Sequence, residues 1–236
     1  LMPAAAGRSF AAELTALHAV LAVPRRPLGA VVGGAKVSSK IALLENLLTK
    51  VDGLILGGGM ANTFLLAQGI QIGASLAEPD MVATARAILA KADANRCQIM
   101  LPTDLVVATA FTASAPHRVT DSSDIADNEM ILDAGPQSVA AVTAFLSGCQ
   151  TIVWNGPMGA FELKPFDAAT NAVASAVARL TQDQQVMSVA GGGDTMAALA
   201  NAGVNDYFTY VSTAGGAFLE WLEGKTLPGV DALRQR

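Results

Sequence analysis

Short apolar runs that end in glycines and lead into helix-forming segments recur six times between residues 28 and 223. This alternation of strand, turn and helix predicts a parallel sheet, because consecutive parallel strands need a crossover that a helix normally supplies. Right-handed crossovers place the helices on both sides of the sheet. The sequence therefore predicts the α/β class, with a doubly wound parallel β-sheet and helices on both faces, a Rossmann-like three-layer sandwich.

The glycine clusters that follow the six runs are expected to lie along one edge of the sheet. The carboxyl ends of parallel strands share an edge, and ligands bind in the crevice beside it. Glycines there let a ligand approach the backbone closely. With two lysines and an aspartate nearby, the clusters predict a site for a phosphate-bearing ligand. The clusters begin at Gly33, Gly57, Gly135, Gly156, Gly191 and Gly215.

The turn within residues 188–198 is the most informative of these clusters. An apolar run ends in Gly191, Gly192 and Gly193, and Asp194 is expected to cap the helix that follows. The free N–H groups of a first helical turn favour an anion, and a carboxylate beside them suits Mg²⁺. The alternative is an ordinary βα turn in which Asp194 is only a cap. The motif is neither G-x-G-x-x-G nor G-x-x-x-x-G-K-[ST], so it indicates neither of those fingerprints.

Lys36 and Lys40 follow the first glycine cluster, and a helix is predicted from there to Lys50. A separation of four residues would place both ammonium groups on one face of its first turn. Cations at that end oppose the helix dipole, so a bound polyanion is expected, with solvated lysines as the alternative. Asn155 is suited to orienting a phosphate, and Glu162 to accepting ribose hydroxyls.

Residues 1–27 stand outside the repeating pattern. Residues 8–23 predict an amphipathic helix with Phe10, Leu14, Leu17 and Leu21 on one stripe, and residues 24–27 predict a stiff linker. The helix either packs on this domain or belongs to an absent neighbour, whose loss would expose the stripe. The start at Leu1 suggests that residues upstream are missing. Residues 108–130 predict a surface excursion with a short extended piece near 118–120 and a solvated His117.

Composition narrows the classes of function. The chain is 52% hydrophobic and 15% charged, which suits a sizeable core, and its net charge of −5 argues against nucleic acid or an anionic membrane as partner. No transmembrane segment or signal peptide is expected. Cys97 and Cys149 are too few for a disulfide framework, which favours a cytoplasmic location.

Five motifs, taken together and in this order, resemble phosphoglycerate kinases. The resemblance runs over residues 1–236 and covers only the C-terminal, nucleotide-binding half of that family. It implies an inter-domain helix and linker in residues 1–27 and a nucleotide-binding domain in residues 28–236, while the phosphoglycerate-binding half, with its catalytic arginine, is absent. The motifs are Gly33-Gly-Ala-Lys-Val-Ser-Ser-Lys40, Gly57-Gly-Gly-Met-Ala61, Val153-Trp-Asn-Gly-Pro-Met-Gly-Ala-Phe-Glu162, Gly191-Gly-Gly-Asp-Thr195 and residues 212–217.

The resemblance also implies roles for individual residues. Lys36 and Gly193 would be catalytic, Asp194 would hold Mg²⁺, and Glu162 would bind ribose. Two departures from the family pattern are Ala214, which stands where glycine is common, and Ser39, which stands where aspartate is common. The residues implied in nucleotide binding are Gly34, Ala35, Lys36, Lys40, Gly58, Gly59, Gly135, Asn155, Gly156, Met158, Phe161, Glu162, Gly192, Gly193, Asp194 and Thr195.

The activity implied by the resemblance is the glycolytic, reversible phosphoryl transfer between 1,3-bisphosphoglycerate and Mg-ADP, which gives 3-phosphoglycerate and ATP. The chain itself would be the ATP/ADP-binding half, inactive alone, and would meet phosphoglycerate only through the missing half. One alternative is a free-standing nucleotide-binding module without catalysis. Another is a nicotinamide-dependent dehydrogenase, against which the missing G-x-G-x-x-G argues.

Overall fold

The computed structural model describes residues 23–227, together with residue 7 and residues 15–17 and 19–20. Between residues 23 and 227 it contains nine strands and seven α-helices. The strands are β1 (Leu28–Val32), β2 (Gly53–Leu56), β3 (Gln98–Met100), β4 (Asp104–Ala108), β5 (His117–Asp121), β6 (Met130–Ala134), β7 (Thr151–Asn155), β8 (Met187–Gly191) and β9 (Tyr210–Ser212). The helices are α1 (Ile41–Leu47), α2 (Gly58–Ala67), α3 (Val82–Ala94), α4 (Pro136–Ser147), α5 (Ala168–Gln182), α6 (Gly193–Asn201) and α7 (Gly216–Leu222).

Six of the strands form one parallel sheet in the order β3-β2-β1-β7-β8-β9. Every neighbouring pair in it is parallel. The chain winds outward from β1 to β3 on one side and from β7 to β9 on the other, so the order reverses between β1 and β7. A crevice at such a reversal is where ligands bind in sheets of this type. The doubly wound prediction is confirmed.

Alternate residues of the central strand β1 enter two separate apolar cores. Ala30 and Val32 belong to one cluster with Phe64 of α2, whereas Val31 belongs to another with Val173 of α5. Successive side chains of a strand point to opposite faces, so both faces of the sheet are covered by helices. The three-layer prediction therefore holds for this sheet.

Strands β5, β4 and β6 form a separate antiparallel sheet, which corrects the prediction that all six glycine clusters share one edge. Gly135 follows β6, which pairs with β4 and not with the parallel sheet. An apolar run followed by glycine has the same pattern in either kind of sheet, so the sequence could not separate them. The short extended piece expected near residues 118–120 is β5, and its residue His117 is exposed, with its ring against Phe166.

Several helix starts differ from the sequence prediction. The helix α1 begins at Ile41 with Lys40 as its N-cap, so Lys36 lies outside it and the two lysines do not share a helical face. The helix α6 is capped by Gly192, whose φ of 101° suits glycine. Asp194 therefore lies within the first turn and is not the cap.

Two of the described residues before the sheet pack on this domain. Leu17 and Val20 are buried in the same core as Leu28, which at Leu17 supports the alternative of packing on this domain over the alternative of an exposed stripe. Phe10, Leu14 and Leu21 lie outside the described residues.

Within the part of the chain that the structure describes, no helix has both the length and the apolar character needed to cross a membrane.

Candidate nucleotide-binding site

A cavity of about 480 Å³ lies at the carboxyl edge of the parallel sheet, beside the reversal in strand order. The loops after β1, β2 and β7 form one side of it, and strand β6 of the antiparallel sheet forms another. Eight of the residues predicted from the sequence line this cavity: Gly34, Ala35, Gly58, Gly59, Met158, Phe161, Glu162 and Asp194.

The floor of the cavity is formed by close backbone contacts between the start of α2 and the loops after β1 and β7. The Gly58 N–H donates to the Met158 carbonyl at 2.7 Å, and the Met60 N–H donates to the Gly34 carbonyl at 2.9 Å. Gly58 has a φ of +68°, and a Cβ there would lie 2.7 Å from the Gly34 carbonyl oxygen. Glycine is therefore required at this position both by its conformation and by space.

Apolar side chains form another part of the cavity lining, and two of them are largely exposed. Leu76 and Phe111 are 56% and 58% exposed, although both line the cavity. Leu132 and Met158, which are buried, continue the same surface inward. Exposed apolar side chains around a concave surface are typical of a site for a flat apolar group. Sequence reasoning missed Leu76, Phe111 and Leu132; the only signal for Phe111 was a large apolar residue in a polar segment.

A polar cluster lies next to the cavity at the ends of β1, β7 and β8. The Lys40 ammonium group donates to the Gly33 carbonyl at 2.7 Å and to the Asn155 carbonyl and Oδ1 at 3.1 and 2.6 Å. The Asn155 Nδ2 in turn donates to the Gly191 carbonyl at 2.8 Å. Lys40 therefore reaches the site from the N-cap of α1, across the ends of the central strands.

Thr195 completes this polar cluster. Its Oγ1 accepts the Gly156 N–H at 2.7 Å and donates to the Gly191 carbonyl at 2.8 Å. Thr195 and Asn155 are both buried, and their polar side-chain atoms are engaged by protein groups. In this structure they hold the loops after β7 and β8 together and do not line the cavity.

Asp194 is exposed on the first turn of α6 and lines the cavity next to Lys40. Burial lowers the pKa of Lys40 to about 8, and the charge of Asp194 partly opposes that shift. A Cβ added to the neighbouring Gly193 would meet no atom within 4 Å. The packing of the protein therefore does not require glycine at position 193, which leaves room for a ligand.

Lys36 and Gly135 do not lie where the sequence prediction expected. Lys36 is an exposed residue of the loop after β1 and lies outside the cavity lining. Gly135 packs against the Asp104 carboxylate, which accepts the N–H groups of Gln137 and Ser138 at the start of α4. A need for space beside Asp104 thus accounts for this glycine. The predicted residues outside the lining are Lys36, Lys40, Gly135, Asn155, Gly156, Gly192, Gly193 and Thr195.

Asp133 is a cavity residue that sequence reasoning missed. Burial raises its pKa to about 7, and Asp167 adds to that shift, while the N–H groups of Ala169 and Ala134 oppose it. Those groups donate to its two oxygens at 2.8 and 3.0 Å. Asp133 therefore joins β6 to the start of α5 and fixes one wall of the cavity.

Asp194 fits a Mg²⁺ ion that is shared with a ligand. No group of three or more His, Cys, Asp or Glu residues within residues 23–227 could hold a metal by itself. Mg²⁺ commonly takes one or two protein carboxylates and completes its shell with phosphate oxygens and water. Asp194, a single exposed carboxylate in the cavity lining, meets that requirement.

Comparisons with known proteins agree with this geometry. A family model described as phosphoglycerate kinase matches residues 1–225. The phosphoglycerate kinase of Rhodospirillum centenum is 64% identical over 233 residues, which cover 99% of this chain and 59% of that protein. That of Xanthobacter flavus is 61% identical over 234 residues, with the same shares.

Two solved structures show the same fold. Phosphoglycerate kinase from Coxiella burnetii matches 98% of this chain and 58% of its own, with a TM-score of 0.93 and 47% identity. Phosphoglycerate kinase from Pyrococcus horikoshii matches 98% and 57%, with a TM-score of 0.83 and 30% identity. The chain thus spans somewhat under three fifths of the length of these relatives. The resemblance seen in the sequence motifs is confirmed, and the chain belongs to the phosphoglycerate kinase family.

Proposed function

We propose that this chain is the nucleotide-binding part of an enzyme that transfers a phosphoryl group reversibly between 1,3-bisphosphoglycerate and Mg-ADP, giving 3-phosphoglycerate and ATP. One observation carries the proposal: a largely apolar cavity lies next to a polar cluster that contains a half-buried lysine and an exposed aspartate. A nucleotide has the same division, with a flat base at one end and phosphates at the other.

The base occupies the apolar end of the cavity. Leu76 and Phe111 lie exposed at its mouth, and covering them with a planar base removes apolar surface from water. Glu162 lies at the rim of the same cavity and is exposed. Its carboxylate accepts hydrogen bonds from the ribose hydroxyls. These bonds fix the orientation of the ribose and so the direction in which the phosphate chain extends.

The phosphates lie between Lys40 and the start of α6. Lys40 is already desolvated, so its charge acts on a phosphate with little screening by water. The N–H groups of Gly193 and its neighbours are those of a helix start and favour an anion. Gly193 has no side chain, so the transferred phosphoryl group can approach the backbone there. Lys36 is exposed, and its ammonium group can extend to the same phosphoryl group.

Asp194 would hold a Mg²⁺ ion, and such an ion would supply charge neutralisation for the phosphoryl transfer. In phosphoryl transfer the protein contributes mainly by positioning the reactants and stabilising the charge on the migrating group. Lys40 and Asp194 fix the donor, while Leu76 and Phe111 keep water from the base. Closure onto the phosphoglycerate-binding part excludes water from the transfer itself.

Phosphoglycerate is bound by the part of the enzyme that this chain does not span. No lysine or arginine lines the cavity formed by the described residues. Arg26, Arg86 and Arg118 are engaged by other protein acceptors. The chain alone should therefore bind nucleotide without turning over phosphoglycerate. Its family resemblance and its two free, buried cysteines support a cytoplasmic enzyme.

Calorimetry of the purified chain tests the nucleotide site. Mg-ATP and Mg-ADP should bind and NAD should not, since a dehydrogenase would show the reverse preference. Asp194→Ala should weaken Mg-ATP binding about tenfold and leave metal-free ATP nearly unchanged, because only the metal-bound ligand uses this carboxylate. An equal loss of affinity for Mg-ATP and for metal-free ATP would show that Asp194 does not hold the metal.

A coupled kinase assay tests the division of the enzyme. The chain alone should show no turnover, and a separately made phosphoglycerate-binding part should restore weak activity, because the two parts lack the effective concentration of a covalent link. Turnover by the chain alone, at the rate of a complete relative, would contradict the proposed place of the phosphoglycerate site. A chain that binds Mg-ATP but gains no activity from its complement would instead be a nucleotide-binding module.

A further inference from the structure

We propose that Glu78 is a positioning residue that holds the loop carrying Lys36 and Lys40 in its ligand-ready conformation. The inference rests on the proposed function, because it concerns the lysines assigned there to the phosphates. Glu78 lies 40 positions away from Ser38, in the segment between α2 and α3. Its two carboxylate oxygens accept the N–H and the hydroxyl of Ser38, at 3.0 and 2.5 Å.

Ser38 lies midway between Lys36 and Lys40, so Glu78 is hydrogen-bonded to the centre of the loop that carries both lysines (the lysine loop, residues 36–40). Elsewhere in this loop Val37 is buried in the apolar core, and at the end of the loop Lys40 reaches Gly33 and Asn155. Burial raises the pKa of Glu78, but the Ser38 hydroxyl, the Ser38 and Val37 N–H groups and Lys36 together hold that pKa below its ordinary value. Glu78 is therefore ionised at neutral pH, and two successive backbone N–H groups face it.

Glu78 is itself fixed to the wall of the cavity. Its backbone N–H donates to the Thr63 hydroxyl at 3.0 Å, and Thr63 is buried in α2. Two residues earlier in the same segment, the Leu76 carbonyl accepts the Asn62 amide at 3.1 Å. Asn62 and Leu76 both line the cavity. The base-binding wall and the lysine loop are thus connected through Glu78.

The charge of Glu78 makes the proposal testable by the sign of the effect. A carboxylate near Lys36 repels a bound polyanion and competes with it for that lysine. If Glu78 acted only through its charge, its removal would tighten nucleotide binding. If it acts by holding Ser38, its removal weakens binding although a negative charge has been lost, because the lysine loop must then be ordered when the ligand binds.

The experiment compares Mg-ATP and adenosine binding to the 236-residue chain by calorimetry. Glu78→Ala and Ser38→Ala should each weaken Mg-ATP binding about five- to tenfold, as expected for an exposed hydrogen bond to a charged group. Adenosine, which has no phosphate, should bind within about twofold of the unmodified chain. The double variant should lose no more than Glu78→Ala alone, because the hydroxyl contact that Ser38→Ala removes is one of the contacts that Glu78→Ala already breaks.

Glu45→Ala is the matched control. Glu45 is another exposed carboxylate near the lysine loop, but its partner is Lys91 on α3, at 3.2 Å. Its removal should leave Mg-ATP binding unchanged or slightly tighter. Unchanged or tighter Mg-ATP binding in Glu78→Ala would overturn the positioning role.

Hydrogen exchange in the chain without nucleotide separates this inference from the proposed function. Glu78→Ala should increase exchange at the Ser38 amide at least tenfold, with no change in α5. Equal exchange at the Ser38 amide in Glu78→Ala and in the unmodified chain would overturn the positioning role of Glu78, even if Mg-ATP binds as proposed. Failure of the unmodified chain to bind Mg-ATP would instead overturn the proposed function, whatever the exchange result.

Discussion

The polar and apolar ends of the candidate site are stabilised in opposite ways. At the polar end, Lys40, Asn155 and Thr195 are joined to the backbone and to one another by hydrogen bonds of 2.6–3.1 Å. At the apolar end, Leu76 and Phe111 remain more than half exposed. The hydrogen bonds of the polar end are formed without a ligand, whereas the apolar end keeps exposed surface that a ligand can cover.

This difference predicts different responses to substitution. A change at the polar end leaves a buried donor or acceptor unpaired and is felt by several loops at once. A change at the apolar end removes contact area, and its cost scales with the area lost. Effects at the polar end should therefore be large and specific for phosphates, while effects at the apolar end should be smaller and common to every ligand with the same base.

Gly33→Ala should have the largest effect on stability, because it disrupts the contact between the loops after β1 and β7, which support both ends of the site. A Cβ at position 33 would overlap the backbone carbonyl of Pro157, which cannot move without separating the loops after β1 and β7. We expect a loss of about 3 kcal/mol in the free energy of unfolding, measured by denaturant titration. Gly193→Ala is the matched control, since a Cβ there meets no atom within 4 Å.

The control should be as stable as the unmodified chain, because alanine is the better helix former at the start of α6. Its Mg-ATP affinity should nevertheless fall several-fold if the phosphates approach Gly193 closely. Equal stability of the two variants would contradict the close packing of the loops, and an unchanged Mg-ATP affinity in Gly193→Ala would remove Gly193 from the site.

Lys40→Ala should have the largest effect on binding. It removes the charge nearest the proposed phosphates and leaves the Asn155 Oδ1 without its partner. We expect Mg-ATP affinity to fall about 30-fold, or about 2 kcal/mol, with adenosine affinity unchanged, as measured by calorimetry. Lys91→Ala removes an exposed lysine of α3 and should change neither value. A parallel loss for adenosine would show that the variant has disturbed the whole cavity.

The sequence was sufficient for the parallel sheet and for most of the cavity floor. The strands around Val31 and Trp154 are short apolar runs with a single consistent interpretation, and the glycines after them predicted where backbones approach. Gly135 was misplaced because periodicity does not distinguish parallel from antiparallel partners. Leu76 and Phe111 were missed because they come from separate loops that only the tertiary structure brings together.

The polar contacts were the least predictable part of the site. Spacing suggested that Lys36 and Lys40 share a helical face, but the helix begins only after Lys40. Asn155 was correctly located at a strand end and Thr195 in the helix that follows the last strand of its turn motif, yet nothing in the sequence indicated that they bind Lys40 and the Gly156 backbone. Such contacts depend on distances between loops, which motif spacing does not determine.

The pH dependence of binding should separate the two ends without any substitution. Burial lowers the pKa of Lys40 to about 8, so the free protein loses this positive charge as the pH rises through that value. A polyanion binds the protonated form better, and Mg-ATP affinity should therefore fall several-fold between pH 7 and pH 9.5. Adenosine affinity should stay level over the same range.

Lys40→Arg is the control for this titration, because a guanidinium group stays charged at these pH values. Its Mg-ATP affinity, although lower, should not change between pH 7 and pH 9.5. The same slope in Lys40→Arg would show that another group is responsible for the pH dependence.

Glu162→Gln should have the smallest effect and provides the counterpart to Lys40→Ala. Glu162 is exposed at the rim of the cavity, so its hydrogen bonds to ribose compete with water. We expect adenosine, ADP and ATP each to bind about threefold more weakly, because ribose is common to all three. The test is the ratio of adenosine to ADP affinity, which Glu162→Gln should preserve and Lys40→Ala should shift more than tenfold towards adenosine. If both substitutions gave the same ratio, the ribose and phosphate contacts would not be divided between the two ends.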